Sequence, residues 1–259
     1  MNNGSVILFF WLCLFPGVAT PPQSSVKRSA PPAEPSVDQI LDNYEKAIGG
    51  KQAWLNVTSR VSAGTIETPE SGASGTYETY ELGSNKIYSI ERLATGKEVI
   101  VAFNGTVGWT INPQSGNRKL DRQELADAKR RAQFPEEIKI REFFSQLHFM
   151  GKTSLAGRDT YLIEAVPQEG TPWMMYFDAR TWLRVRIDGT LHFALQSEPA
   201  QGYFEDYREV GNSGMKYPFR VTLKTSHATL VKRVERVQLN VAVDQSLFTP
   251  PSFKFKIQQ

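Results

Sequence analysis

A catalytic or metal-binding chain needs side chains grouped to hold a proton, a metal or a covalent intermediate, and this sequence scatters its candidates. His148, His192 and His227 lie far apart, and none has a second histidine or a carboxylate at metal-ligand spacing. No H-E-x-x-H, G-x-S-x-G elbow, P-loop or G-x-G-x-x-G after a strand occurs. Each histidine therefore reads as a surface or strand residue. The sole cysteine, Cys13, rules out a haem-binding Cys-x-x-Cys-His. Glu164, Asp178, Asp188, Glu205 and Asp206 fall at strand edges and turns, where solvation or hairpin formation accounts for them. An acid pair could arise only through folding. The expectation is a protein with no catalytic residue, no metal and no cofactor.

The other chemical signal is aromatic. Phe103, Trp109, Trp173, Phe177, Trp182, Tyr203, Phe204 and Phe219 sit in strand-like stretches, and so many rings must be buried against helices, each other or a guest. A curved sheet covered only by short helices leaves space near its centre, and an apolar space suits an acyl chain. Each methylene withdrawn from water contributes roughly 0.8 kcal/mol, so such a chain could bind without any specific polar contact.

The elements that must position these rings are mostly strands. Met215, Tyr217, Phe219, Val221 and Leu223 alternate with Lys216, Pro218, Arg220, Thr222 and Lys224, the two-residue period of a strand. Gly211-Asn212-Ser213-Gly214 is a tight reversal joining it to an earlier strand at 203–210. A second turn near 226–229 leads to alternation at Val237, Leu239, Val241 and Val243. Val234 and Val237 differ in parity, which places a bulge or bend between them if both point inward. Upstream, 60–67, 75–82, 86–92, 98–103 and 106–112 read as strands, with Asn104-Gly105 a strong hairpin signal. Further strands are expected at 151–155, 160–166, 173–177 and 183–187. Ser36 with Gln39 forms a capping box for a helix carrying Ile40, Leu41, Tyr44, Ala47 and Ile48 and closed by Gly49-Gly50. Residues 121–147 interrupt the strands with helical composition. There Asp121 and Glu124 can cap a first segment, and Ile140, Phe143, Phe144 and Leu147 form a greasier face on a second. The fold class is mainly β with helices, α+β. About ten or eleven sequential antiparallel strands would curl into one incomplete barrel, with the N-terminal helix and the insertion over its concave side.

Composition bounds the partners. Thirty basic against 27 acidic residues, a net charge of +3, is too balanced for a nucleic-acid partner. The apolar run 6–15, continued by Pro16-Gly17-Val18-Ala19, is shorter than the roughly eighteen residues that span a bilayer and reads as a signal peptide, 1–19. Cleavage is expected after Ala19, and Leu12 before Cys13 disfavours a lipid-modified cysteine. Residues 20–35 read as a Pro/Ser-rich linker, and 36–259 as the folded domain.

Four stretches, in order, resemble the bacterial outer-membrane lipoprotein-sorting carriers, the Lol family. They are 40–50 with its closing Gly-Gly, and Trp173-Met174-Met175-Tyr176-Phe177-Asp178 running on to Thr181-Trp182-Leu183-Arg184-Val185. The third is Tyr207-Arg208-Glu209-Val210 with Tyr217-Pro218-Phe219-Arg220-Val221. The last is Val237-Gln238-Leu239-Asn240-Val241 with Asp244-Gln245-Ser246-Leu247-Phe248-Thr249-Pro250-Pro251. The resemblance implies an incomplete antiparallel barrel enclosing an apolar cavity that receives acyl chains of a lipoprotein or lipid in the periplasm. It transfers no single residue's role, and it does not match 121–147.

The residues expected to line that cavity are Val101, Phe103, Trp109 and Ile111 from the first half of the sheet, and Phe143 and Leu147 from the insertion. Met175, Phe177, Phe219 and Val221 come from the second half. The function expected is a monomeric periplasmic carrier that shelters acyl chains and exchanges them with a membrane-bound donor or acceptor protein. The alternative is an envelope sensor or interaction module on the same fold, held at the inner membrane by an uncleaved N-terminal segment.

Overall fold

Helix α1 (Val37–Ala47) begins where the sequence offers a reciprocal cap: the Gln39 amide donates to Ser36 Oγ and the Ser36 amide to Gln39 Oε1. Ile40, Leu41 and Tyr44 share one face and are buried, and Gly49 and Gly50, both at positive φ, turn the chain into α2 (Lys51–Leu55). There Trp54 is fully enclosed, its indole N–H donating to the Ile48 carbonyl at 3.0 Å. The structure is a computed structural model and describes residues 34–83, 85–193 and 196–252. The apolar run 6–15, Cys13, the cleavage position after Ala19, the linker up to residue 33 and Ser84 of the turn after residue 82 lie outside the described residues.

A first meander follows: β1 (Ser59–Thr68), β2 (Ala73–Leu82), β3 (Lys86–Leu93), β4 (Glu98–Phe103), β5 (Gly108–Asn112) and β6 (Gly116–Lys119). The β4–β5 hairpin turns at Asn104-Gly105, where Asn104 Oδ1 accepts from the Thr106 and Val107 amides. Helix α3 (Arg122–Arg131) starts at a second reciprocal cap, Asp121 with Glu124, and leads through a 3₁₀ turn (Glu136–Ile138) to α4 (Ile140–Phe143). The second meander is β7 (Phe144–Leu155), β8 (Arg158–Pro167), β9 (Trp173–Asp178), β10 (Arg184–Phe193), β11 (Gln196–Glu209), β12 (Lys216–Lys224) and β13 (Thr229–Leu239). Strand β13 returns to pair with β1 and fuses both meanders into one antiparallel sheet of 13 strands. Its edges are β6 and β7, which do not pair with each other, so the sheet is open.

Thirteen strands replace the ten or eleven expected. The strand that a period-two reading does not find is β6, whose four residues Gly-Asn-Arg-Lys carry no apolar alternation and are placed only by pairing to β5. The helical reading of residues 144–147 is also corrected. Phe144 opposite Pro167 and Gln146 opposite Val166 begin a strand, and pairing to β8 outweighs a weak helical period. The alternation at 237–243 is overtaken in the same way. Strand β13 ends at Leu239 because Asn240 adopts φ 56° and accepts from the Thr58 amide at 2.7 Å through Oδ1. The bulge anticipated between Val234 and Val237 is present: Ala63 pairs with Arg236 but Gly64 with Val234. A Cβ on Gly64 would lie 2.0 Å from the Arg233 carbonyl oxygen, so the close approach at the bulge requires glycine.

The helices bridge two halves of the sheet. Ala128 and Ala132 of α3 seat on Ile87 and Phe103 of β3 and β4. Phe134, Ile138 and Ile140, just downstream, join α1, α2 and the β8–β9 residues Ile163, Ala165, Met175 and Phe177 in the main core. Arg141 ties this segment to α1 by reaching Asp38, Asp42 and Glu45, which are stacked on one side of that helix. Residues 122–143 thus form a cover, joined to α1 by shared core contacts and by the Arg141 guanidinium.

Candidate functional site

Cross-strand register carries one row of side chains from the sheet's centre toward the cover. Arg60 on β1 stands opposite Glu81 on β2, Glu81 opposite Ile87 on β3, and Ile87 opposite Phe103 on β4. Opposite residues share a face. The face on which α3 sits is therefore the one that presents Arg60 and Glu81.

Arg60 is 3% exposed and held by two carboxylates. Its Nε lies 2.6 Å from Glu81 Oε2 and its Nη2 2.9 Å from Glu81 Oε1, the forked geometry that a guanidinium and a carboxylate favour. Nη1 lies 2.5 Å from Oε1 of Glu137 in the cover. The rings of Tyr217, Phe134 and Trp54 stand 4.7, 5.1 and 5.8 Å from the guanidinium carbon, which shields the charge from water and adds cation–π attraction. A second pair lies alongside. Arg184 on β10 reaches Glu136 Oε1 through Nη2 at 3.0 Å, lies over the Phe204 ring, and offers its backbone carbonyl to the Tyr207 hydroxyl at 2.8 Å. Adjacent glutamates of one 3₁₀ turn thus grip arginines on two separate strands.

Burial sets the electrostatics. It raises the Glu137 pKa above the ordinary carboxylate value; Arg60 pulls the other way without offsetting it, and neighbouring Glu136 and Glu81 add to the rise. Burial works against the Arg60 charge too, but Glu137 and Glu81 outweigh it, so the guanidinium stays charged. Tyr217 is pushed up to about 12 by burial, and Tyr44, Tyr77 and Tyr207 rise for the same first reason. These phenols remain neutral hydroxyls at ordinary pH.

A cavity of about 170 Å³ opens between sheet and cover, bordered by Arg60, Tyr77, Glu81 and Val221 from the sheet, Arg131, Glu136 and Glu137 from the cover, and Tyr44 from α1. Its wall carries five basic side chains, Arg60, Arg131, Arg184, Lys216 and Lys232, against three acidic ones. The expected hollow was apolar. A larger crevice of about 340 Å³ runs between α3 and β10, where His192 Nδ1 lies 2.7 Å from Asp127 Oδ2. Arg130 also pairs with Asp127 there and lies over the Trp173 ring. Among the described residues, no group of three or more His, Cys, Asp or Glu side chains could hold a metal.

Of the residues expected to line the cavity, Val221 borders it. Phe143 and Met175 border a narrow crevice beside Arg184 and Trp173. Phe177 lies with Met175 in the main core, and Leu147 packs at its margin. Phe103 seats α3, Phe219 packs on Ile66, Tyr77 and Val234, and Val101 is half-buried on β4. Trp109 and Ile111 pair opposite Ala102 and Ile100, which alternate with Phe103, so they belong to the sheet's other face. Sequence reasoning missed Glu81, Glu136, Glu137 and Arg184 and gave Arg60 no role. The one available signal was Arg60 itself, a charge set between small and apolar residues at the start of a strand.

No family profile matches the chain, and no curated protein sequence matches it. Similar architecture does occur among solved structures. A LolA superfamily protein from Nitrosomonas europaea superposes with a TM-score of 0.55 at 13% identity, covering 83% of this chain and 98% of that one. A domain assigned to outer-membrane lipoprotein sorting from Vibrio parahaemolyticus gives 0.53 at 8% identity, covering 80% and 95%. A DUF1329 family protein from Desulfovibrio piger gives 0.52 at 14%, covering 82% and 97%. Each of these matches takes in 80–83% of this chain and 95–98% of the other, and this chain has the Lol-like fold.

Proposed function

We propose that the protein is an exported, non-catalytic carrier for acyl-bearing ligands, lipids or lipoproteins, which it shelters between the sheet and the helical cover. The observation that carries this reading is the pairing of Arg60 and Arg184 in the sheet with Glu137 and Glu136 in the cover, around a cavity. Two ion pairs on one short turn make a closure that can be undone as a unit. Lifting the turn would part Phe134 and Ile138 from Trp54 and Phe177, all now in one core, and offer that apolar surface to an acyl chain. The closed cavity has room for a small polar group, and the chain would take its place beneath the raised cover. Likeness to lipoprotein-sorting structures supports the ligand class, and the apolar run at 6–15 supports export.

The test is to express the full chain in a bacterial host, fractionate the cells, and analyse an organic extract of the purified protein by mass spectrometry beside titration with a fluorescent fatty acid. Co-purifying acyl lipid and saturable probe binding are expected. Absence of both would sink the reading.

A further inference from the structure

Hydrogen-bond donors outnumber acceptors around the cavity. Tyr44, Tyr77 and Tyr217 line it, and their hydroxyls make no hydrogen bond to the protein among the described residues. Arg60 has five N–H donors, and one contact from each of its three nitrogens reaches a carboxylate. Arg184 makes one such contact, through Nη2. At the rim, Arg131 and Lys216 are exposed and have no ion-pair partner among the described residues. Acceptors are fewer. Both Glu81 oxygens are taken by Arg60, and Thr79 Oγ1 is engaged by Ser89, while Glu137 Oε2 is a buried acceptor and Arg184 Nε a buried donor that have no hydrogen-bond partner among the described residues. A wall of this kind is incomplete in the complementary sense: it lacks an acceptor-rich, negatively charged group.

We infer that the polar end of this cavity binds an anionic oxygen headgroup, a carboxylate or a phosphate, of the acyl-bearing ligand. The inference rests on the carrier reading and sharpens it by naming the head of the ligand as well as its tail. The phenols, kept neutral by burial, donate to the headgroup oxygens; the unpaired rim cations supply long-range attraction. Glu81, Glu136 and Glu137 would oppose an anion; Arg60 pairs with Glu81 and Arg184 with Glu136, and Glu137 is the carboxyl whose charge burial disfavours, so the arriving headgroup favours its protonated form. The apolar tail then follows Val221 and Phe204 toward the core under the cover.

Competition against a bound fluorescent fatty acid with dodecanoate, dodecyl phosphate and dodecanol compares three heads on one tail, and isothermal titration with inorganic phosphate tests the head alone. One or both anionic ligands should bind about tenfold or more tighter than dodecanol, a difference of about 1.4 kcal/mol, and the ranking of dodecanoate against dodecyl phosphate identifies the head. The preference should fall in 0.5 M salt, where the Debye length shrinks to about 4 Å from about 30 Å at 0.01 M, and in the Y44F/Y217F variant, whose fold is checked by its melting temperature. Equal binding of all three ligands overturns the headgroup inference and leaves the carrier standing. If no alkyl ligand binds, the carrier reading fails; binding of inorganic phosphate alone would then keep the anion site, and its absence would remove both.

Discussion

Arg60 Nη1 meets Glu137 Oε1 at 2.5 Å, and that contact joins β1, next to the central strand of the sheet, to the segment that covers it. Both side chains are almost wholly buried, so the pair cannot be treated as a surface salt bridge. Removing the arginine alone leaves Glu81 and Glu137 buried without their counter-charge. Arg60→Ala should therefore destabilise the fold by about 3–5 kcal/mol, read from urea unfolding. Replacing all three charges, in R60M/E81Q/E137Q, should recover much of that loss. A cost below about 1 kcal/mol for the single change, the range of an exposed pair, would show that the contact does not hold the cover.

The same carboxyl gives the protein a pH dependence with a definite sign. Glu137 has a raised pKa while the cover is closed, and unfolding or opening would return it to the ordinary carboxylate range. A group raised in the folded state contributes stability that is complete below its unfolded pKa and is lost as pH rises through the folded one. Acid thus favours closure here, within the window between the two values, at about 1.4 kcal/mol for each unit that separates them. Glu137→Gln removes the titration. Its stability relative to the parent should be lowest near pH 4 and should climb as the pH is raised to 8, in parallel urea series. A flat difference, or one falling with pH, would contradict the raised pKa.

Arg184 offers a milder way to loosen the cover, because Glu136 is partly solvated and loses less than Glu137 would when its partner goes. Arg184→Gln should leave the sheet intact. Amide exchange over residues 136–143 should speed up several-fold, while the amides of β1 and β13 keep their protection. If the cover is the gate, uptake of a fluorescent fatty acid should accelerate in the same variant. Faster exchange with unchanged uptake would separate the cover's mobility from ligand entry.

Much of the scaffold was legible in the sequence, since local chemistry decides it. The two reciprocal caps, at Ser36 and Asp121, the reversal at 211–214 and the parity conflict between Val234 and Val237 each follow from neighbours in the chain. The charged cluster was not legible, for a reason visible in β1. Arg60 and Ser62 lie on the cover side while Val61 lies on the other, and all three are buried, so alternation does not say which face is inside. Glu136 and Glu137 follow Pro135 in a stretch with the charge and composition of a solvated loop. Only the fold brings 60, 81, 137 and 184 together, and no spacing along the chain encodes that meeting.

The far end of the cover is tethered by a different bond, between His192 on β10 and Asp127 on α3. The imidazole is 7% exposed, and Asp127 also receives Arg130, whose guanidinium reaches the Glu169 carbonyl and lies over Trp173. Helix α3 has a shallow apolar footing, with Ala128 and its capping residue Ala132 buried and Leu125 partly buried beside them, so this polar anchor should carry a disproportionate share of its attachment. His192→Ala would leave Asp127 bonded to Arg130 but cut the link to β10. A hydrogen bond to a charged group contributes about 1.5–3 kcal/mol, so exchange of the α3 amides at 125–131 should rise by tenfold or more while α1, held by its own core contacts and by Arg141, stays protected. Equal acceleration in α1 and α3 would mean that the two helices open together, with the cover and α1 hinged as one body through Arg141.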